Sequence, residues 1–419
     1  MSRPIKNPRL LCMGPVLLLA PLLGGCFLFH TTPTTNDIAL GDLDSDGDLD
    51  AFFANGQSEG IQPNAVWINQ GSGLFQDNGQ ALGMADTYQV ALGDLDGDGD
   101  LDAIEAGWGL LYINDGKGTF STLNRSGVPV MGSFTRHAAL GDLDGDGDLD
   151  MTLAGCCGAF SGDQNDPWVA MPASTVEIND GSGRFTQTQS LTDQACPAAA
   201  LGDLDGDGDL DAFLACWSVI EHSGTPAVDP GLFADTDQAY LGPTDERKGA
   251  PNRVYFNDGS GQMQDSGQSL GAAESFSLAL GDLDGDGDLD ALLGNLDGAE
   301  VWLNQGGAQG GTPGQFALGN QRIDSRLIHK VQLGDVDGDG DLDALLNVSS
   351  RRAYDPQLWL NDGNASFTRH AQNLAIWRMQ AYTLGDLDND GDLDIFAGSF
   401  NDGYGAWFND GLGNFSRLP

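Results

Sequence analysis

Five aspartates occupy alternate positions in the nine residues from Asp94 to Asp102, and Gly99 fills the sixth. The same spacing recurs along the chain. Its copies comprise Asp42, Asp44, Asp46, Asp48 and Asp50; Asp94, Asp96, Asp98, Asp100 and Asp102; Asp142, Asp144, Asp146, Asp148 and Asp150; Asp203, Asp205, Asp207, Asp209 and Asp211; Asp282, Asp284, Asp286, Asp288 and Asp290; Asp335, Asp337, Asp339, Asp341 and Asp343; and Asp386, Asp388, Asp390, Asp392 and Asp394. Thirty-five of the 62 acidic residues therefore sit in seven short stretches. Carboxylates packed this closely repel one another unless a cation neutralises them. Ca²⁺ takes about six to eight oxygen ligands, and a short loop wraps it when oxygens recur at every second residue. Positions 1, 3 and 5 would supply side-chain oxygens. The glycine permits the sharp turn. Position 7 would donate its backbone carbonyl, and position 9 would close the sphere. Up to seven Ca²⁺ are expected.

The EF-hand loop is a different device, with helices on both sides and a glutamate at position 12. Position 12 is here Phe53, Leu153, Leu214, Leu293, Leu346 or Ala397. The second copy has Glu105 there, inside an apolar run. Mg²⁺ fits less well, because it keeps several waters and takes few carboxylates.

The elements that position these loops follow from a second phrase. It reads Trp67-Ile-Asn-Gln-Gly-Ser-Gly-Leu-Phe75, and counterparts run from Tyr112 to Phe120, Glu177 to Phe185, Tyr255 to Met263, Trp359 to Phe367 and Trp407 to Phe415. The copy from Trp302 to Phe316 carries a glycine-rich insertion. Apolar runs flank each loop, such as Ala51-Phe-Phe-Ala54 and Ala291-Leu-Leu293. They are continuous rather than alternating, which marks strands buried on both faces. Asn-Gly and Asp-Gly pairs favour hairpin turns. No stretch sustains a 3.6-residue period, so almost no helix is expected. Four short antiparallel strands in each of seven repeats of roughly 50 residues describe an all-β, seven-bladed β-propeller, with the loop in the first hairpin of each blade. A linear solenoid would need atypical capping repeats, and the first and last repeats here keep the full pattern.

The paired phrases Gly41-Asp-Leu-Asp-Ser-Asp-Gly-Asp-Leu-Asp-Ala51 and Trp407-Phe-Asn-Asp-Gly-Leu-Gly-Asn-Phe415 resemble FG-GAP/VCBS-type repeats. Such repeats build the propeller heads of integrin α subunits and many bacterial surface proteins. The resemblance implies a calcium-binding propeller that serves binding or adhesion. The literal Phe-Gly and Gly-Ala-Pro ends are absent, which places the kinship nearer the bacterial branch. Every repeat carries the full loop, whereas in integrins only some blades do.

The N-terminus reads as an export signal. Arg3, Lys6 and Arg9 precede an apolar stretch, Leu10 to Leu23, that is short for a membrane span. Leu23-Gly24-Gly25-Cys26 resembles a bacterial lipobox, with Cys26 as the lipidated residue; an ordinary cleaved signal is the rival reading. The expected organisation is a signal peptide over 1–25, a tether over 26–36 and a propeller over 37–419. Its repeats run from about 37–86, 87–132, 133–193, 194–272, 273–325, 326–376 and 377–419. The expected location is the bacterial cell envelope, with membrane contact only through the lipid.

A formal charge of -44 argues against nucleic acid as a partner. In an exported chain, Cys156, Cys157, Cys196 and Cys216 suggest one or two disulfides of undetermined connectivity. Specific function is expected where the repeats disagree. Insertions run from Cys157 to Ser174, Trp217 to Asn252 and Asn347 to Gln357, on the face opposite the loops. The scarce basic residues gather on that face. Trp217, Arg322, Arg326, His329, Arg351, Arg352 and Tyr354 are the candidate ligand residues, with Arg369, His370 and Arg378 nearby. The recurring Trp or Tyr before the Asn reads as packing between blades. No catalytic set is found: Gly-x-Ser-x-Gly, His-Glu-x-x-His and the P-loop are all missing from the sequence. The reading is a monomeric binding or adhesion module for a protein or glycan. The alternatives are a lectin-like propeller and a polysaccharide lyase or hydrolase.

Overall fold

Seven four-stranded antiparallel sheets follow one another along the chain, five built from consecutive strands and two, the third and fourth, interrupted by a small hairpin between their second and third strands. The computed structural model describes residues 34–417 except 57–61, 84–86, 108, 124–134, 156–159, 164–165, 169–173, 193, 218, 221–246, 351–352, 375, 377–378 and 400–402. Blade 1 comprises Thr34–Gly41, Asp50–Gly56, Ala65–Asn69 and Phe75–Asp77. The first strands of blades 2 to 7 are Gln89–Gly93, Thr135–Gly141, Ala198–Gly202, Ser275–Gly281, Ile328–Gly334 and Met379–Gly385. The chain is thus an all-β, seven-bladed propeller. The only helix among the described residues is the 3₁₀ turn Gly307–Gln309, inside the glycine-rich insertion of blade 5. The leader, Cys26 and most of the tether lie outside the described residues, and the first strand begins at Thr34.

The continuous apolar runs form the second strand of each blade. Every residue of Asp50–Gly56, Asp102–Ala106, Asp150–Gly155 and Asp290–Asn295 is buried. Side chains alternate between faces, so one strand feeds two cores. Phe52 and Ala54 pack with Tyr112 and Phe120 of blade 2, whereas Ala51 and Phe53 pack with Ala381 and Phe396 of blade 7. Removing either ring would cost about 3–5 kcal/mol.

The same side-chain clamp joins each blade to the one before it. The Asn closing each third strand donates Nδ2–H to a loop carbonyl of the preceding blade. Asn114 reaches Leu43, Asn179 reaches Leu95, Asn257 reaches Leu143, Asn304 reaches Leu204, Asn361 reaches Leu283 and Asn409 reaches Val336, all at 2.7–2.9 Å. Asn69 reaches Leu387 of blade 7 at 2.9 Å and so closes the ring. A Cβ added at Gly385 of blade 7 would lie 2.7 Å from Leu40 Cδ1 and 3.0 Å from Leu49 Cδ1 of blade 1, so this close approach needs glycine.

A charged pair adds a second closure. Lys330 Nζ of blade 6 donates to Asp37 Oδ1 of blade 1 at 2.6 Å and to the Tyr382 carbonyl of blade 7 at 3.0 Å. Asp37 Oδ2 accepts the Val90 N–H of blade 2. His137 of blade 3, within electrostatic reach of both charges, is held down to about 4, first by burial.

Blades 3 and 4 carry small extra hairpins, Phe160–Asp163 with Asp166–Trp168 and Val219–Ile220 with Arg247–Lys248. The sequence excess in blade 6 lengthens one hairpin, Asp343–Ser350 with Ala353–Asn361. Cys196 and Cys216 form a disulfide that ties the entry of blade 4 to the residue following its second strand, Asp211–Ala215. Cys156 and Cys157 lie outside the described residues.

Candidate functional site

Each aspartate loop is a turn folded over its own first carboxylate. Asp94 Oδ1 accepts the Gly97 N–H at 2.8 Å and its Oδ2 accepts the Gly99 N–H at 3.0 Å. The ninth residue ties the loop to the third strand. Asp102 Oδ2 accepts the Leu95 N–H at 3.0 Å and Oδ1 accepts the Asn114 N–H at 2.9 Å. Asn114 is the clamp residue of that blade, so the two sequence phrases interlock through one carboxylate. The same pair of bonds is made by Asp50, Asp150, Asp211, Asp290, Asp343 and Asp394. A second interlock joins position 7 to the next turn. A Cβ on Gly116 would lie 2.4 Å from Asp100 Oδ2, and Gly116 has φ of 68°, a conformation that L side chains rarely adopt.

Three carboxylates converge in each such site. Asp42, Asp44 and Asp50 place one oxygen each within 4.8 Å of one another, as do Asp94, Asp96 and Asp102; Asp203, Asp205 and Asp211; and Asp282, Asp284 and Asp290. In the third copy the group is Asp142, Asp144 and Asp146, and two further groups of this kind exist. Position 5 belongs to the converging group in the third copy, as Asp146, and its side chain is exposed in every copy but Asp286 of the fifth. Its Oδ1 accepts the backbone N–H of position 7, as in Asp46 with Asp48 at 3.0 Å. The position-7 side chains, such as Asp48 and Asp100, face the glycine of the turn between third and fourth strands.

Burial and neighbouring carboxylates both raise the loop aspartates. Burial pushes Asp50, Asp102, Asp211, Asp343 and Asp394 up to about 6 and Asp290 up to about 7, while Asp150 moves in the same direction. At position 3, Asp44, Asp144, Asp205, Asp284, Asp337 and Asp388 are raised first by burial and then by the position-5 carboxylate. Asp44, Asp284, Asp337 and Asp388 each keep a buried Oδ1 that accepts no hydrogen bond. A buried oxygen without a donor is costly, and a cation would satisfy it. The donors are all oxygen, which suits a hard divalent cation and not a zinc-type centre.

The opposite face is less open than its basic residues suggest. Arg322 pairs with Asp297 at 2.6 Å and with Glu300. Arg326 pairs with Asp324 at 2.7 Å and with Asp355 at 3.6 Å. Phe276 stands between Trp217 and His329, with ring centroids 5.3 and 6.0 Å away. Arg351, Arg352 and Arg378 lie outside the described residues, as does the side chain of Tyr354. Arg369 is exposed at the end of a fourth strand. His370 Nδ1 accepts the Gln372 N–H.

The recurring aromatic is scaffold. Tyr112, Tyr255, Trp302 and Trp407 are buried, and Trp67 and Trp359 are half-buried. Glu177 takes the place of the aromatic in blade 3, where only 1% of it is exposed, and burial pushes it up to about 7. Glu105 is the other intruding carboxylate. Its Oε2 accepts hydrogen bonds from Asn64 Nδ2, Thr87 Oγ1 and Tyr112 OH at 2.9–3.0 Å between blades 1 and 2. Neither network, nor the Lys330–Asp37 pair, leaves a repeated sequence signal. The one trace is a charged residue interrupting an apolar run.

FG-GAP-like repeat sequences match residues 42–105, 235–293, 282–346 and 335–397, together more than half of the chain. No curated protein sequence matches it. Among solved structures, a lectin of Agrocybe aegerita described as recognising non-reducing terminal N-acetylglucosamine is 20% identical, with a TM-score of 0.50 over 80% of this chain and 79% of that one. BBS1N in complex with ARL6DN is 10% identical, with a TM-score of 0.52 over 90% of this chain and 92% of that one. At these identities the likeness is one of fold.

Proposed function

The chain belongs to the FG-GAP-like repeat family, and from that premise we propose that it is a calcium-stabilised binding module of a bacterial cell envelope. On this reading it is exported by its N-terminal leader and anchored through a lipid on Cys26. One observation carries the proposal: the chemistry that repeats seven times is used up in building the ring, and what differs between blades is left for recognition. Asp42, Asp44 and Asp50, with their counterparts, would hold Ca²⁺. The ion supplies charge neutralisation there and no reaction chemistry. The chain's own part is to converge the carboxylates, to bury Asp44 Oδ1 without a donor and to brace Asp50 on two backbone N–H groups. The family premise and the use of the paired carboxylates in the loops favour a binder over a catalyst.

A lectin-like reading comes second. It is favoured by a groove walled by Phe75, Tyr404 and Phe408 between blades 7 and 1, and a lectin shares the fold. The deciding experiment is affinity capture from envelope fractions with the mature protein, with and without calcium, beside a glycan array and a polysaccharide turnover assay. A specific captured protein or glycan without turnover supports the module. Product formation from a polysaccharide would overturn it in favour of an enzyme.

A further inference from the structure

The first strands of the seven blades touch one another all round the ring, so they are the innermost elements. They wall the central channel of the propeller. In five of them the pairing with the second strand skips one residue at the same place. The skipped residues are Asn36, Arg136, Phe276, His329 and Gln380, in blades 1, 3, 5, 6 and 7. Tyr88 and Pro197 hold that place in blades 2 and 4. Bulges of this kind re-aim a side chain and are common beside functional sites. Five of the seven strands end in Ala-Leu-Gly, yet no two residues at the bulge position are alike.

Neighbouring members of this ring touch. Asn36 Nδ2 donates to the Thr87 carbonyl at 2.7 Å, and the Arg136 guanidinium carbon lies 3.9 Å from the Tyr88 ring centroid. The Phe276 ring centroid is 5.3 Å from that of Trp217 and 6.0 Å from that of His329. The next residue of each strand forms a second, more polar ring, in which Lys330 of blade 6 meets Asp37 of blade 1. His137 comes from blade 3, on the far side of the ring from blade 6, and both charges act on it. Its Nδ1 is buried and makes no hydrogen bond. Gln332 lies two residues beyond Lys330, on the same face of the strand. Its Nε2 donates to Thr383 Oγ1 at 3.5 Å, and its Oε1 is buried without a donor. Orphaned polar atoms of this kind are costly unless a bound molecule meets them. The charge of these strands also runs against that of the chain. They hold Arg136, His137, His329 and Lys330 against a single acid, Asp37, in a protein of formal charge -44.

Resting on the binding-module reading, we propose that the central channel binds a sugar acid, free or at the end of a glycan, its carboxylate toward Arg136 and His137 and a hydroxyl toward Gln332. The bulge sets Arg136 beside His137, since two residues there oppose one on the partner strand. A guanidinium and an imidazole N–H both donate to a carboxylate. The Gln332 Oε1 accepts from a hydroxyl. Tyr88, Phe276 and Trp217 offer flat walls to the apolar face of a sugar ring. A channel walled on all sides by strands admits the end of a chain, not its middle.

The test is calorimetric titration of the calcium-loaded full chain with glucuronate, glucose, lactate and sulfate. Glucuronate should bind saturably. Glucose lacks the carboxylate and should bind at least about tenfold more weakly, the size of one lost charge-assisted hydrogen bond. Lactate lacks the ring, sulfate lacks both ring and hydroxyl, and each should also be weaker. Arg136→Met and Gln332→Leu should each weaken glucuronate binding about fivefold or more. Arg136 is half-buried, so Arg136→Met should melt with the parent protein and decides the matter if Gln332→Leu folds poorly. A glucuronate-ended disaccharide that binds more tightly than the free acid would make a glycan end the ligand, and equal binding would make it the free acid. Glucose, lactate or sulfate binding as tightly as glucuronate, or glucuronate binding unchanged in Arg136→Met, would overturn the site. An envelope ligand still captured by Arg136→Met with Gln332→Leu would overturn the channel as its site and leave the binding-module reading standing.

Discussion

Asn69 and Leu387 lie 318 residues apart, and the Asn69 Nδ2–H donates to the Leu387 carbonyl at 2.9 Å. Six other asparagines make the same bond to the preceding blade, but this one spans nearly the whole chain. The ring is therefore closed by the clamp that joins its interior blades. Asn69→Ala should cost about 1–3 kcal/mol in chemical denaturation, because a buried carbonyl loses its donor. The interior equivalent Asn114→Ala should cost a similar amount. A closing variant without effect beside a costly interior one would mean that the last junction contributes little.

Calcium removal gives a second test. On the proposed reading, the converging carboxylates of Asp42, Asp44 and Asp50 and their counterparts would bind a cation in the folded state only, so that binding would add to folding free energy. Chelation should lower the melting temperature, and restored calcium should raise it again. At calcium about a hundredfold over its dissociation constant, one site adds about 2.7 kcal/mol. Identical melting curves with and without chelator would remove calcium from the account.

Glu177 predicts a pH dependence. Burial raises its carboxyl to about 7, against a single hydrogen bond from Thr175 Oγ1 that lowers it. The folded state therefore favours the protonated acid. Its contribution is fully present below the ordinary carboxyl range and is lost as pH rises through about 7. Glu177→Gln should match the parent near pH 4 and exceed it at pH 8, by about 1–3 kcal/mol. Thermal melts across that range decide the matter, and a constant difference between the two proteins would assign Glu177 no titration.

The Lys330–Asp37 pair links blades 6 and 1 past blade 7 at 2.6 Å. Lys330→Met removes the cation while leaving Asp37 only 8% exposed. A loss of about 3–5 kcal/mol is expected from an orphaned buried charge. The double variant Lys330→Met with Asp37→Asn should recover much of it. A double variant no better than the single one would show that the pair acts through packing alone.

The disulfide between Cys196 and Cys216 closes a loop with a sequence separation of 20. Replacing both cysteines by serine should cost about 3 kcal/mol by the chain-entropy argument. Denaturation with and without reductant measures it, and indifference to reductant would show the thiols to be unpaired.

Much of this architecture was legible before any coordinates. The alternation of Asp with Gly, the Asn-Asp-Gly turns and the continuous apolar runs are local features. Local φ preference and side-chain period are enough to turn them into loops, hairpins and two-sided strands. What stayed hidden involves residues distant in sequence. Arg322 and Arg326 read as free basic charge on an acidic chain, yet the structure pairs them with Asp297, Glu300, Asp324 and Asp355. Spacing alone likewise does not reveal that a position-5 oxygen accepts the position-7 N–H.

By itself the sequence determined a seven-fold β-propeller with an acidic turn in the first hairpin of each blade. It did so because every repeat writes the same local instructions. Only the tertiary structure decided which atoms meet across blades. It set Asn69 on Leu387 and Lys330 against Asp37. Those contacts join segments tens to hundreds of residues apart. Their geometry depends on how one blade is rotated against the next, a quantity that no nine-residue phrase encodes.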